Sequence, residues 1–163
     1  MFTFGILTIS DKAAKGQRAD LSSEAIRNSL AALPSHPVKY GVVPDEKAII
    51  ADRLTEWADE GSVDVILTTG GTGLSDRDVT PEATLAIIDR EVPGFAEAMR
   101  VQTFAITPTS ILSRASAGIR GKCLIINLPG SPKAVRECLA VIGPAIVHAV
   151  EIIKGEVTEH TLQ

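Results

Sequence analysis

Aromatic side chains are scarce in this 163-residue chain, which has four Phe, one Tyr and one Trp. Without rings interleaved among Lys and Arg there is no stacking platform for bases, and a formal net charge of −4 provides no basic field to gather a polyanionic strand. Polymeric nucleic acid is therefore not an expected partner, although a mononucleotide is still compatible. Cysteine is as sparse. Cys123 sits in an apolar, strand-like run and Cys138 in a helix-like one, while His36, His148 and His160 are scattered singly. No zinc spacing can be assembled from them, so the cysteines read as buried thiols in a reducing compartment and each histidine as an ordinary side chain. Long hydrophobic runs are missing too. The longest apolar stretch, Ala140 to Val150, is too short to span a bilayer and carries Pro144 and His148. The N-terminus has neither the basic start nor the small-residue cleavage site of a secretory signal. A soluble, cytoplasmic protein without membrane association is expected.

What is present is enough apolar sequence for a real core, with too few prolines and charge runs for disorder. One domain over residues 1–155 and a C-terminal tail over 156–163 is the economical reading. Phe2 to Ile9 is continuous and mostly apolar, as a strand covered on both faces should be. Leu21 to Leu33 has a helical period stopped by Pro34, and Val38 to Val43 returns to strand. Asp45 to Glu60 is helical, with Ala48, Ile49, Leu54 and Trp57 as its apolar stripe and Gly61 as its stop. Val63 to Thr69 then reads as strand, Pro81 to Arg90 as helix, Phe95 to Phe104 as helix, and Thr107 to Arg114 as a short turn or helix. Lys122 to Leu128 is a buried strand, and Pro132 to Lys154 a helix broken near Gly143-Pro144. Strands alternating with helices predict an α/β fold with a largely parallel central sheet.

Residues 68–80 read Thr-Thr-Gly-Gly-Thr-Gly-Leu-Ser-Asp-Arg-Asp-Val-Thr, a glycine-dense loop leaving the apolar strand that ends at Thr69. Gly70, Gly71 and Gly73 remove the Cβ atoms that would hold a backbone away from a ligand, and they permit positive φ, so successive N–H groups can face one concavity. Thr80-Pro81 predicts an N-cap followed by proline at the first helical position, which adds a helix N-terminus to the same field. Phosphate is the natural occupant. A P-loop is excluded because Gly73 is followed by Leu74-Ser75, and a dinucleotide fingerprint because Asp76 stands where its last glycine belongs.

Ligands of such sheets bind beyond the carboxyl ends of the strands. The strand exits here are Ser10-Asp11-Lys12, Pro44-Asp45-Glu46, the loop Gly70 to Asp78, and Pro129-Gly130-Ser131-Pro132-Lys133. Each alone has an ordinary explanation as a cap or turn, Asp45 as a helix cap among them. Together they line one sheet edge with glycine loops and polar groups suited to a phosphate or a cation.

Four segments, Thr68 to Gly73, Arg77 to Glu82, Val43 to Glu46 and Asn127 to Lys133, together resemble the MogA/MoaB family of molybdenum-cofactor biosynthesis proteins. Leu7 to Lys12 and Ile111 to Arg114 extend the resemblance over nearly the whole chain, in the expected order. The resemblance implies a three-layer α/β sandwich and a homotrimer or hexamer that transfers AMP from Mg-ATP to molybdopterin and releases pyrophosphate. It also implies Asp45 and Asp78 as catalytic carboxylates that hold Mg²⁺, with Gly70, Gly71, Thr72 and Gly73 cradling a substrate phosphate. Ser10, Asp11, Pro129, Gly130 and Ser131 would line the pterin and nucleotide sides, and Lys133 would meet a phosphate. Asp76 departs from many relatives; it should face solvent, pair with a cation such as Arg77, or sit behind the metal. The retained Asp45 and Asp78 favour a MogA-like chain over a non-catalytic molybdopterin-binding or scaffold module. A nucleotide pyrophosphohydrolase is the other alternative, because distant relatives share the glycine loop.

Overall fold

In a computed structural model that describes residues 1–157, six strands form one sheet in the order β2-β1-β3-β6-β5-β4. These are β1 (Phe2–Ile9), β2 (Ser35–Val43), β3 (Val65–Thr69), β4 (Arg90–Glu91), β5 (Ala117–Arg120) and β6 (Cys123–Leu128). The first four in that order run parallel; β5 and β4 extend the sheet antiparallel. The helices are α1 (Asp11–Ala14), α2 (Leu21–Leu30), α3 (Lys47–Glu60), α4 (Thr80–Leu85), α5 (Pro93–Thr103) and α6 (Pro132–Lys154), with a 3₁₀ turn at Pro108–Leu112.

The three layers follow from side-chain alternation along strands covered on both faces. Phe2, Phe4 and Ile6 of β1, Val65 and Leu67 of β3, and Leu124, Ile126 and Leu128 of β6 pack with α2, α5 and α6. Leu7, Ile9, Ile66, Cys123 and Ile125 point the other way, against α3 and Ala83 of α4. The indole of Trp57 lies over β1 and β2, so close that a Cβ on Gly5 would stand 3.1 Å from its Cε3 and one on Gly41 3.3 Å from its Cζ2.

Connection handedness then fixes where the cleft lies. From β1 the chain steps outward to β2 through α2, then returns past β1 to β3 through α3. Right-handed crossovers in opposite directions put α2 and α3 on opposite faces, and a crevice opens at the carboxyl ends of β1 and β3, where the direction reverses.

Several details differ from the pattern read in the sequence. The buried stripe of α3 is Ile50, Leu54, Trp57 and Ala58, one residue round from the expected Ala48 and Ile49, which are exposed. α6 runs unbroken through Gly143-Pro144. Pro144 faces solvent, and so does Ala140, whose carbonyl loses its helical partner to the proline and can bond to water instead. Residues 87–92 leave the helix expected to reach Arg90, because Arg90 and Glu91 pair with β5. β5 itself was hidden by its small residues. It joins β6 through a two-residue hairpin in which Gly121 takes φ +57°, as a type II′ turn requires. Of the expected tail, residues 158–163 lie outside the described residues, and His160 with them.

Candidate functional site

A cleft of about 780 Å³ opens at the crossover point, lined from four strand exits by Ser10, Asp45, Gly70, Gly71, Asp78, Gly130 and Ser131, and by Arg18, Asp20 and Ser22 from the α2 side. That volume lies within the range of small-molecule sites. A second cavity of about 220 Å³ lies past Ser131 between α5 and α6, lined by Met99, Thr103, Glu137 and Cys138 among others, and holds none of the motif's carboxylates or glycines.

The floor of the cleft is the turn after β3. Gly70 takes φ +101° and Gly71 φ +69°, values that exclude other residues on two grounds. A Cβ on Gly70 would fall 2.2 Å from the carbonyl oxygen of Ile9, and one on Gly71 would fall 2.2 Å from Thr80 Oγ1. Thr80 is the first residue of α4 rather than its cap. The N-cap position belongs to Val79, and the Thr80 hydroxyl instead donates to Gly70 O at 2.9 Å while its N–H donates to Gly71 O at 3.1 Å. The helix thus grips the turn directly. Below it, fully buried Asn127 donates to Thr68 Oγ1 and Thr84 Oγ1 and accepts from the Ser116 N–H and hydroxyl, so no polar atom of its amide is left over.

Two carboxylates form a reciprocal bridge between the exits of β1 and β2. Asp11 N–H donates to Asp45 Oδ2 at 2.9 Å, and Asp45 N–H donates to Asp11 Oδ1 at 3.0 Å. Asp45 is therefore not a helix cap; that position belongs to Glu46. Arg77 reaches across from the glycine loop and holds the Asp11 carboxylate with Nε and Nη2 at 2.9–3.1 Å, so it is Asp11, not Asp76, that takes the loop's cation. Asp76 is exposed. The Arg77 hydrogen bonds hold the Asp11 carboxyl below its usual range. Asp45 goes the other way. Burial pushes it up, the bond from Asp11 N–H offsets part of this, and repulsion from Asp11 and Asp78 adds to it. Asp78 turns its carboxylate back onto its own loop, where Oδ2 accepts from Ser75 N–H at 3.0 Å.

The rim on the α2 side is a hydrogen-bonded hub that the sequence reading did not single out. Asp20 caps α2 by accepting from Ser23 N–H at 3.1 Å, and it accepts from Thr8 Oγ1 and Tyr40 Oη at 2.6 Å each. Burial opposes its ionisation, but these donors win and hold its carboxyl below the ordinary value. Ser22 Oγ donates to Gly130 O at 2.6 Å and Thr69 Oγ1 to Pro129 O at 2.7 Å, which fixes the last strand exit. Ser10 and Ser131 cap α1 and α6 by accepting from Ala13 and Ala134 N–H. Some of the expected ligand-contacting residues lie off the lining. Thr72 is buried, Gly73 stands behind Asp78, Pro129 borders the smaller cavity, and Lys133 leans toward Glu137 at 3.6 Å.

The fit to a divalent cation can be judged from the donor set. Asp45 and Asp78 repel one another across the cleft, a charge that a cation would neutralise. Among the described residues no cluster of three His, Cys, Asp or Glu could cage a metal unaided. The arrangement suits a magnesium-like ion that takes one or two carboxylates and draws its remaining ligands from water and a bound phosphate.

Residues 5–148 match the family model described as a probable molybdopterin binding domain. The chain is 46% identical over 164 residues to a molybdopterin adenylyltransferase of Helicobacter pylori J99, covering 98% of this chain and 93% of that protein. It is 44% identical over 152 residues to the molybdopterin adenylyltransferase of Escherichia coli K12, covering 90% and 78%. Among solved structures, the molybdopterin biosynthesis enzyme MoaB of Thermus thermophilus superposes with a TM-score of 0.91 at 51% identity, covering 95% of this chain and 98% of that one.

Proposed function

The chain belongs to the molybdopterin-binding domain family that includes the MogA and MoaB proteins, and from that premise we propose that it is a molybdopterin adenylyltransferase using Mg-ATP. In that reaction a phosphate oxygen of molybdopterin attacks the α-phosphorus of ATP, the bond to the β-phosphate breaks, and pyrophosphate leaves. The observation that carries this reading is that Asp45 and Asp78 line the same cleft as the Gly70–Gly71 turn, at the sheet's crossover point. The relatives' names divide between adenylyltransferase and MoaB; the two retained carboxylates favour the catalytic assignment.

The demands of the reaction are electrostatic. Two polyanions must be brought together, so the site has to supply donors and positive charge before it supplies any base, and the attacking phosphate is already ionised. The backbone of the glycine turn and the N-terminus of α6, entered at Gly130-Ser131, offer N–H groups to phosphate oxygens. Asp45 and Asp78 would hold Mg²⁺, which supplies charge neutralisation for the phosphates when bound. Asp11 binds Asp45 through its backbone and is itself anchored by Arg77, so it sets the position of Asp45.

Assembly into a trimer is part of the same proposal. Val101, Phe104, Ile106, Ile111 and Leu112 are all exposed on the end of α5, the residues after it and the 3₁₀ turn that packs on it. An apolar surface of this kind is suited to burial against another copy; sedimentation equilibrium giving a monomer at micromolar concentration would remove this element.

The enzymatic test follows pyrophosphate release with purified molybdopterin and ATP, using wild type, Asp45→Asn and Asp78→Asn. Wild-type turnover that depends on molybdopterin, lost in both variants while their circular dichroism is unchanged, is the expected result. Release of AMP from nucleotide without molybdopterin would instead favour a pyrophosphohydrolase, and binding without turnover a scaffold.

A further inference from the structure

The glycine loop is held from a direction the motif does not reveal. Its own bonds, Asp78 N–H to Ser75 O at 2.9 Å and Ser75 N–H to Asp78 Oδ2 at 3.0 Å, shape the turn, and the Arg77 side chain ties its tip to Asp11, but neither fixes the ends of the loop to the body of the protein. Leu74 to Arg77 are exposed. Arg114, two residues past the 3₁₀ turn, provides an attachment. Its N–H donates to Thr72 O at 2.8 Å, Nε to Gly73 O at 2.8 Å and Nη2 to Asp78 O at 2.6 Å, while Nη1 pairs with the Glu82 carboxylate of α4. One planar guanidinium thus bridges the carbonyls at the two ends of the segment 74–77 and ties both to a helix.

Resting on the adenylyltransferase reading, we propose that Arg114 is a positioning residue. It fixes the Asp78 carboxylate by clamping the two ends of its loop, and Glu82 orients the guanidinium. The chemistry selects arginine. Only the fork of a guanidinium presents several N–H groups in one plane, enough for two carbonyls and a carboxylate at once; a lysine ammonium is a point donor on a flexible stem. Glu82 supports the assignment. Its Oε2 is buried without a hydrogen-bond partner, so the carboxylate is anchored through Oε1, by Arg114. Burial disfavours the charged form, but the Arg114 bond, a bond from its own backbone N–H and the charges of Arg114 and Lys47 together outweigh it and hold the carboxyl below its ordinary value. A displacement of Asp78 by about 1 Å would be enough to cost about 100-fold in turnover.

The test uses the full chain with Arg114→Lys and with the pair Arg114→Gln/Glu82→Gln, which avoids stranding a lone carboxylate. Both variants should keep the wild-type circular dichroism. kcat should fall about 100-fold with KM for ATP changed less than about threefold, since the loss is in positioning rather than in ground-state binding. Free guanidinium ion should restore part of the kcat of Arg114→Gly, a rescue that a merely structural role would not produce. Limited trypsin digestion of the same variants should cut after Arg77 at least tenfold faster than in wild type. Unchanged kcat in a folded variant, or unchanged cleavage after Arg77, overturns the proposal. Should wild type itself show no adenylyl transfer, the functional reading fails, and the trypsin experiment still decides whether Arg114 clamps the loop.

Discussion

Replacing Gly71 by alanine isolates the contact between the glycine turn and α4. The new Cβ would stand 2.2 Å from Thr80 Oγ1 and 3.2 Å from Asp45 Oδ1, on a residue held at φ +69°. Placing alanine in the left-handed region costs about 1–2 kcal/mol. Relieving the collision by expelling a buried hydroxyl adds about 1–3 kcal/mol, as overpacking usually does. The single variant should therefore lose about 2–5 kcal/mol, a large part of a small domain's stability. Thr80→Ala alone removes the donor to Gly70 O and should cost about 1–3 kcal/mol. In the double variant there is no hydroxyl left to strike, so the 2.2 Å collision is gone, and the backbone strain, the lost hydrogen bond and the milder contacts at 3.2–3.3 Å remain. The two effects should then fall short of their sum by about 1–3 kcal/mol, well beyond the roughly 0.3–0.5 kcal/mol scatter of independent sites. Urea unfolding followed by fluorescence of Trp57, the chain's only tryptophan, measures all four corners of the cycle. Additivity within about 0.5 kcal/mol, or a Gly71→Ala protein as stable as wild type, would refute the account of the turn.

Asp76→Ala should keep turnover within a few-fold of wild type, unlike Asp78→Ala, because Asp76 faces solvent while Asp78 lines the cleft; an equally deep loss in both would reassign the carboxylates. Burial pushes Cys123 up to about 12 and Cys138 up to about 11. The thiolate fractions at pH 8 are then about 10⁻⁴ and about 10⁻³, so native protein should resist iodoacetamide that labels both thiols in urea; rapid native labelling would contradict the burial. Asp20 has a folded carboxyl value below its unfolded 3.8, so its contribution to stability is present above pH 3.8 and is lost as the pH falls through the folded value. Asp20→Asn should flatten the acid limb of a stability profile measured below about pH 4, and an unchanged slope would show that the hub does not hold the ionised form.

The elements most legible in the sequence were those whose side chains all meet the core. Phe2–Ile9 has the predicted ends because both of its faces are covered, which produces an unbroken apolar run. β5 was illegible for the opposite reason. Gly118 is small because Ile88 and the Arg90 carbonyl press on it, and a Cβ there would lie 2.4 Å from Ile88 Cδ1. A tertiary contact had removed the hydrophobic signal. The same distinction holds in the cleft. The glycines and Asp45 follow directly on strand ends and Asp78 closes the glycine loop just before α4, places that local pattern can locate. The roles of Arg77 and Arg114 depend on partners far along the chain, Asp11 for one and Gly73, Asp78 and Glu82 for the other, and no local spacing encodes those pairings.

The sheet's outermost strands bear on how copies of the chain can meet. An exposed strand edge invites addition of another strand, and both edges here are blunted. β4 is two residues long. β2 carries Pro37, which has no N–H to donate, and its pairing with β1 shifts register between Phe4 and Gly5, a local irregularity that interrupts a straight hydrogen-bonding rim. Continuation of the sheet from one molecule into the next is disfavoured at either side, which protects a chain rich in Val and Ile from cross-β stacking. Association is left to side chains on the helical faces, where contact can be made and undone without exchanging backbone hydrogen bonds.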